Sequence, residues 1–381
     1  NEWVSVAGFA GAGIFGASLG YLTSRRYQTP RLFHRSEAMA VVAFTWLFAA
    51  IVAALPYVVM GFPFEDAFFE SMSGLTTTGA TILTDFSEPD RSFFLWRAMT
   101  QWFGGLGVIA LFVVVLPRLG IAGRQLFFAE ASTAPADAVS PQIRRSAGSL
   151  WKLYAFLTLA CAVLLGAGGM SIYESVLHAM TTLSAGGFSP RDTSIAAYSS
   201  SYIEWVLVGF MFLAGASYPL QLRAAMGKPL IIFKDDEFLF YLLTASAGGL
   251  LLAAVIGGVN DPDALRTGLF QSASLISSTG FASVDYNQWP DSARAILLII
   301  MLLGGCAGSA AGGPKAIRYL LVGRTVLREV RQVLHPRAII PLRYRKKAIP
   351  DQVLRAVFSL VALYFTGYLV LGALLIFLEM E

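Results

Sequence analysis

Long apolar stretches alternate with short polar ones along the entire chain. The apolar stretches cover residues 3–22, 38–60, 93–116, 150–166, 205–222, 238–256, 293–303 and 353–378. Most approach the roughly 20 residues that a helix needs to cross the ~30 Å hydrocarbon core of a bilayer. The pattern predicts about eight spanning helices, and with them an all-α polytopic membrane protein.

Three shorter segments interrupt this rhythm, each lying between two spans. Aligned without gaps on Gly79, Gly187 and Gly280, they read AFFESMSGLTTTGAT (67–81), SVLHAMTTLSAGGFS (175–189) and GLFQSASLISSTGFA (268–282). Leu75, Leu183 and Ile276 share a column, as do Ser73, Thr181 and Ser274, and Thr76, Ser184 and Ser277. The glycines are 108 and 93 residues apart. A match recurring in one topological slot is the signature of an internal repeat. The residues before each glycine are apolar with small side chains, too few to span, and read as a re-entrant half-helix. Asp66, Glu174 and Asp263 fall near the helix starts, where negative charge suits the positive end of the helix dipole.

Composition and charge sharpen this picture. Of 381 residues, 56% are hydrophobic and 14% charged, against about 25% charged in soluble chains. If the segment after the first span is cytoplasmic, the inner segments 23–37, 117–152, 222–237 and 315–355 hold 23 of the 28 Lys and Arg residues. That bias is the topology signal of membrane proteins. The outer segments carry 16 Asp and Glu against 5 Lys and Arg, an acidic surface that concentrates cations. Cys161 and Cys306 lie inside spans and read as small core residues. The histidines at 34, 178 and 335 form no ligand cluster. With neither paired carboxylates nor a nucleophile beside a base, an enzyme is not expected.

Non-helical backbone at membrane depth is tolerated only where it is buried in protein or lines a water-filled cavity. Backbone carbonyls in such a segment can replace the hydration shell of a cation. The half-helix C-terminus adds favourable negative potential there. The segment from Thr76 to Thr81 therefore reads as one strand of a cation filter.

These residues resemble the Trk/Ktr/HKT superfamily of potassium transporters, closest to its TrkH type. The resemblance covers essentially the whole chain and is carried by DAFFESMSGLTTTGAT, QWFGGLGVIAL (101–111), SAGGFS, STGFA and GGCAGSAAGGPKAIR (304–318). It implies pseudo-fourfold repeats of outer helix, re-entrant pore helix with filter loop, and inner helix around one ion path. The filter residues it implies are Thr77, Thr78 and Gly79; Ala185, Gly186 and Gly187; and Ser278, Thr279 and Gly280. Gly79, where some sodium-conducting relatives carry serine, favours potassium. The implied setting is a bacterial inner membrane, with a homodimer and a cytosolic nucleotide-binding RCK regulatory subunit as partners. Potassium is the substrate, and no cofactor is implied. The chain begins at Asn1, and the family's fourth filter would fall shortly past Glu381. A fragment with an incomplete fourth repeat and an open side to its pore is therefore expected.

On this reading the chain divides into residues 1–34 (a spanning helix and cytoplasmic linker), repeats at 35–130, 131–235 and 236–350, and the outer helix of a truncated repeat at 351–381. The third inner helix contains Gly304, Gly305, Gly308, Ser309, Gly312 and Gly313, followed by Pro314. An interior glycine costs a helix about 1 kcal/mol and a proline about 3. Two small-residue faces at four-residue spacing coexist here, whereas close helix packing uses one. The segment reads either as a packing face or as a broken helix forming a gate beneath the filter, which the resemblance also implies. Lys315 and Arg318 follow at the inner end, as membrane anchors or partner contacts. The basic region 324–351 is a positive-inside loop or a docking surface for a cytosolic subunit. The alternative function is potassium cotransport coupled to protons or sodium, with Glu70 and Glu174 as the nearest candidate carboxylates.

Overall fold

The computed structural model describes residues 2–26, 35–110, 141–227, 229–338, 340–344 and 347–379. The repeat boundaries expected at 34 and 130, the end of the 93–116 span and most of the cytoplasmic segment 117–152 lie outside the described residues.

The regular structure among the described residues is helical, apart from two strands of two residues each. Helix α1 is Glu2–Arg26 and α2 is Arg35–Val59. Then come α3 (Phe64–Leu75), α4 (Arg91–Ala110), α5 (Pro141–Ala167), α6 (Ile172–Leu183), α7 (Ser201–Gly215) and α8 (Tyr218–Ala225). The remainder are α9 (Asp236–Ile256), α10 (Pro262–Ile276), α11 (Asp291–Met301), α12 (Ala316–Leu334) and α13 (Asp351–Glu379). Strands β1 (Arg343–Tyr344) and β2 (Lys347–Ala348) pair antiparallel ahead of α13, a detail the all-helical expectation did not include.

Among the described residues four helices are long and apolar enough to cross a membrane by themselves, and up to five if α7 and α8 are counted as one span. No more than 33% of the apolar window of any of the four is buried. Such surface suits lipid contact, since nothing else on a helix this apolar is stable in water. About eight spans are expected from sequence, and the difference has identifiable sources. The stretch expected as the third inner helix is in two pieces, α11 and α12. The second, expected as one run over 205–222, bends by 105° between α7 and α8. Pro219 sits at the start of α8, where it supplies no N–H to continue the preceding helix.

Helices α3, α6 and α10 are the three short ones, 12, 12 and 15 residues long. At 1.5 Å per residue they reach about 18–23 Å, too little to span. Their starts are specified locally. In α6 the Ser171 hydroxyl accepts from the Glu174 N–H and donates to its carboxylate, a serine N-cap. In α10, Asp261 caps the Asp263 N–H ahead of Pro262. Each short helix packs on the long helix before it: α3 on α2, α6 on α5, α10 on α9. Contacts of α4 with α6 and of α7 with α10 join the successive units. A core of Tyr154, Leu183, Tyr218, Phe270 and Phe281 fills the space between them.

Candidate ion filter and gate

The three short helices end identically. The C-cap residues Thr76, Ser184 and Ser277 are right-handed. Next come Thr77, Ala185 and Ser278, all left-handed with φ of 55°, 56° and 56°. The N–H groups of Thr77, Ala185 and Ser278 bond the carbonyls of Gly74, Thr182 and Leu275. Those of Thr78, Gly186 and Thr279 reach back to Ser73, Thr181 and Ser274. This bond pair is the Schellman termination, usually made by glycine. Holding a residue with a Cβ in this region costs of order 1–3 kcal/mol. The chain bears that strain three times at matched positions.

Two residues on, Gly79, Gly187 and Gly280 are again left-handed, with φ of 79°, 74° and 82°. Thr78, Gly186 and Thr279 between them are not. Alternating the sign of φ turns successive peptide planes so that their carbonyls share a side, which an ordinary strand cannot do. The strands also touch in sequence order. A Cβ on Gly79 would collide with the Gly186 carbonyl oxygen, and one on Gly187 with the Thr279 carbonyl oxygen. One on Gly280 would meet nothing within 4 Å. The nine filter residues expected from sequence thus lie on three matched turns, the first touching the second at Gly79 and Gly186 and the second touching the third at Gly187 and Thr279.

Hydroxyls brace the strands from behind. Ser73 and Ser274 donate to the carbonyls of Ala80 and Phe281 at 2.6 and 2.7 Å. Thr76 bonds Thr78, and Ser277 bonds Thr279, both at 2.7 Å. The second strand is held by Gln101 instead, whose Nε2 donates to the Gly186 carbonyl at 2.7 Å while its Oε1 accepts from Phe188 N–H at 3.1 Å. One lone pair of the Gly186 oxygen is therefore engaged off the strand, the second remaining. Gln101 opens the QWFGGLG stretch of α4. A Cβ on Gly104 would strike the Leu75 carbonyl, and one on Gly105 would come within 2.8 Å of Ser184 Cα. The glycine pair lets α4 lie directly against the first two filter turns.

A further column recurs nine residues before each glycine, where Glu70, His178 and Gln271 look unrelated in sequence. Each tethers a hydroxyl just past its filter. The Glu70 carboxylate accepts from the Thr81 hydroxyl and from Ile82 N–H. His178 Nε2 bonds the Ser189 hydroxyl at 3.2 Å, and Gln271 Nε2 donates to the Ser283 hydroxyl at 3.4 Å. Glu70 also pairs with Arg97 Nε at 2.9 Å, both side chains being at most 2% exposed. Glu174, the other carboxylate singled out in the sequence, pairs with Arg191 at 2.6 Å.

Residues 302–315 leave the helix between α11 and α12. All six expected gate residues, Gly304, Gly305, Gly308, Ser309, Gly312 and Gly313, fall in this stretch. Gly308 and Gly313 have φ of 77° and 72°, a geometry glycine adopts without penalty. The segment docks on the bend of the second inner helix: Cys306 and Ala310 N–H donate to the Gly215 and Ala214 carbonyls, and Tyr218 N–H to Gly308. It also meets the third filter strand, because Gly312 N–H donates to the Ser278 hydroxyl at 2.5 Å. From the first turn of α9, buried Glu237 accepts from the N–H groups of Ala307 and Ile317 at 2.5 and 3.3 Å. Lys315, also buried, donates Nζ to the Ala311 carbonyl. The packing-face reading of the glycines is set aside, since 302–315 is not a helix.

Among the described residues no group of three or more His, Cys, Asp or Glu side chains could hold a metal ion. The family model of TrkH, a cation transport protein, matches residues 3–379. The chain belongs to the TrkH family. It is 34% identical over 343 residues to the Trk system potassium uptake protein TrkH of Escherichia coli (strain K12), covering 88% of this chain and 71% of that one. With the protein of the same name from Vibrio parahaemolyticus it shares 34% over 368 residues, 94% of this chain and 76% of the relative. The crystal structure of the potassium transporter TrkH from Vibrio parahaemolyticus superposes with a TM-score of 0.85 at 31% identity, covering 96% of this chain and 77% of that one. As a TrkH-family member the chain is a multi-pass membrane transporter and not an enzyme.

Sequence reasoning about this TrkH-family chain did not find Gln101, Arg97 or Glu237, nor the function of the Glu70 column. Gln101 and Arg97 had a signal: polar residues inside a span are expensive unless partnered. Glu237 had none beyond its place in a helix first turn, where acids are common.

Proposed function

We propose that this chain takes up potassium across the bacterial inner membrane through a carbonyl-lined filter. Thr77–Gly79, Ala185–Gly187 and Ser278–Gly280 supply the potassium-facing oxygens, as three quadrants of a pseudo-fourfold path divided at the boundaries expected from sequence. The glycine-rich stretch 304–313 is its gate. The observation that carries this reading is the triple recurrence of left-handed residues two apart, with neighbouring strands touching through Gly79–Gly186 and Gly187–Thr279. A purely structural loop has no need of the same strain three times. The relatives' role in potassium uptake agrees with it. The basic region 324–351 faces the cytoplasm as the docking surface for a nucleotide-binding RCK subunit, and the transporter works as a homodimer.

Coupled transport would need a carboxylate free to exchange protons. Glu70 and Glu174 are both paired with arginine, so no observation favours it. The test is ion uptake into proteoliposomes holding the full chain, with and without a proton gradient. Potassium uptake exceeding sodium uptake and indifferent to the gradient supports the filter reading. Uptake that needs the gradient supports coupling.

A further inference from the structure

We propose that the buried Glu70–Arg97 pair is the positioning element that fixes the spacing of the first and second filter strands, and so sets the discrimination between potassium and sodium. The inference rests on the filter reading above and assigns that filter a control residue pair outside its strands. Glu70 lies on α3 and Arg97 on α4. One carboxylate oxygen of Glu70 takes the Thr81 hydroxyl and the Ile82 N–H, directly after the first strand. The other takes Arg97 Nε at 2.9 Å. Arg97 in turn lies over the Phe188 ring at 3.8 Å and donates Nη1 to the Ser189 carbonyl at 3.4 Å, directly after the second strand. One ion pair therefore grips the residues that follow both strands, while the strands themselves meet at Gly79 and Gly186.

Three features make this a spacer rather than an ordinary packing contact. The pair is sealed from solvent, so the attraction is not screened as a surface pair would be. Guanidinium geometry is planar and directional, fixing the stacked ring and the carboxylate at once. A second ion pair, Arg266–Glu204 at 2.9 Å, joins the second and third units, and the hydrogen bonds of its arginine go to Glu204 and Asp263, not to a filter residue. It is an internal control. In the snug-fit account of filters, discrimination between two cations of equal charge depends on how far apart the oxygens are held, and on that account loosening this grip degrades selectivity before it degrades flux.

The experiment measures the ratio of potassium to sodium uptake in proteoliposomes carrying the full chain, with saturating potassium flux per folded molecule recorded alongside. Glu70→Gln and Arg97→Gln each lower the ratio about tenfold, a loss in line with breaking a buried pair, and keep at least half the saturating potassium flux. The double variant is no worse than either single one, because the pair acts as a unit. Arg97→Lys, which keeps the charge, recovers part of the ratio. Glu204→Gln leaves it unchanged. Should the glutamine variants not fold, Arg97→Lys carries the test, and an unchanged ratio there overturns the proposal. So does an equal loss in Glu204→Gln, or a fall in both ions' uptake at constant ratio. A parent chain with no preference for potassium instead fails the filter reading itself.

Discussion

Gly312 and Ser278 tie the interrupted helix to the third of the matched turns: the Gly312 N–H donates to the Ser278 hydroxyl at 2.5 Å. Ser278 is the left-handed residue that opens the third filter strand, and Gly312 belongs to the interruption of the third inner helix. Both the filter turn and the interruption are held in backbone conformations that few residues adopt. On the proposed function, a contact between them couples the position of the barrier to the shape of the filter.

Ser278→Ala removes this link. Gly312 is exposed, so its N–H can turn to water, and the loss is that of one net hydrogen bond, about 1 kcal/mol. If the bond favours the closed arrangement, unstimulated potassium flux rises about fivefold, the effect of about 1 kcal/mol on a two-state equilibrium. Single-vesicle flux assays read this directly, and the potassium-to-sodium ratio stays within about twofold of the parent. Flux that falls shows that the bond supports the conducting state instead.

Gly79→Ser strikes the filter itself. The added Cβ collides with the Gly186 carbonyl in a backbone region with φ of 79°, so the first and second strands must separate. Potassium preference over sodium should drop about tenfold, equivalent to about 1.4 kcal/mol of differential binding. Competition between the two ions during uptake measures it.

Much of the matched turn geometry was legible in the sequence, and the reason is physical. Only glycine reaches the required φ cheaply, so Gly79, Gly187 and Gly280 stand out at matched positions. Thr77, Ala185 and Ser278 adopt the same region but belong to residue types that avoid it, and nothing in their identity reveals it. The interruption at 302–315 was legible from clustered glycines and Pro314. The bend at Ala216 and Ser217 was not, because the run 205–222 stays apolar and its only signals are Gly215 and Pro219. The column of Glu70, His178 and Gln271 looked mismatched because a shared geometric task, bonding a hydroxyl 11 or 12 residues further along, is met by three different chemistries.

Glu237→Ala tests what holds the gate segment. It leaves the buried N–H groups of Ala307 and Ile317 without their acceptor and buried Lys315 without nearby negative charge. Removing one partner from a buried charge network costs about 3–5 kcal/mol. The melting temperature of detergent-solubilised protein should fall by several degrees, with Glu237→Gln, which keeps one acceptor oxygen, losing less than half as much. Equal melting temperatures in all three proteins would contradict the role given to Glu237.

Gly104→Ala tests the contact between α4 and the first filter turn. Overpacking a tight site costs about 1–3 kcal/mol, and here the obstacle is the Leu75 backbone carbonyl, which cannot move without the strand. The variant should melt earlier and lose potassium selectivity together. Gly209→Ala, where a Cβ meets nothing within 4 Å, should melt no earlier than the parent, since alanine is the better helix former.

The most direct test of the account is the position of the ion. Crystals of the full chain grown in potassium and soaked with thallium, a heavy monovalent substitute, report occupied sites by anomalous scattering. The account places density on the axis enclosed by residues 77–79, 185–187 and 278–280, above the 304–313 segment, and expects it to weaken as potassium is added back. Thallium bound elsewhere in the membrane region, with this axis empty, would contradict the account.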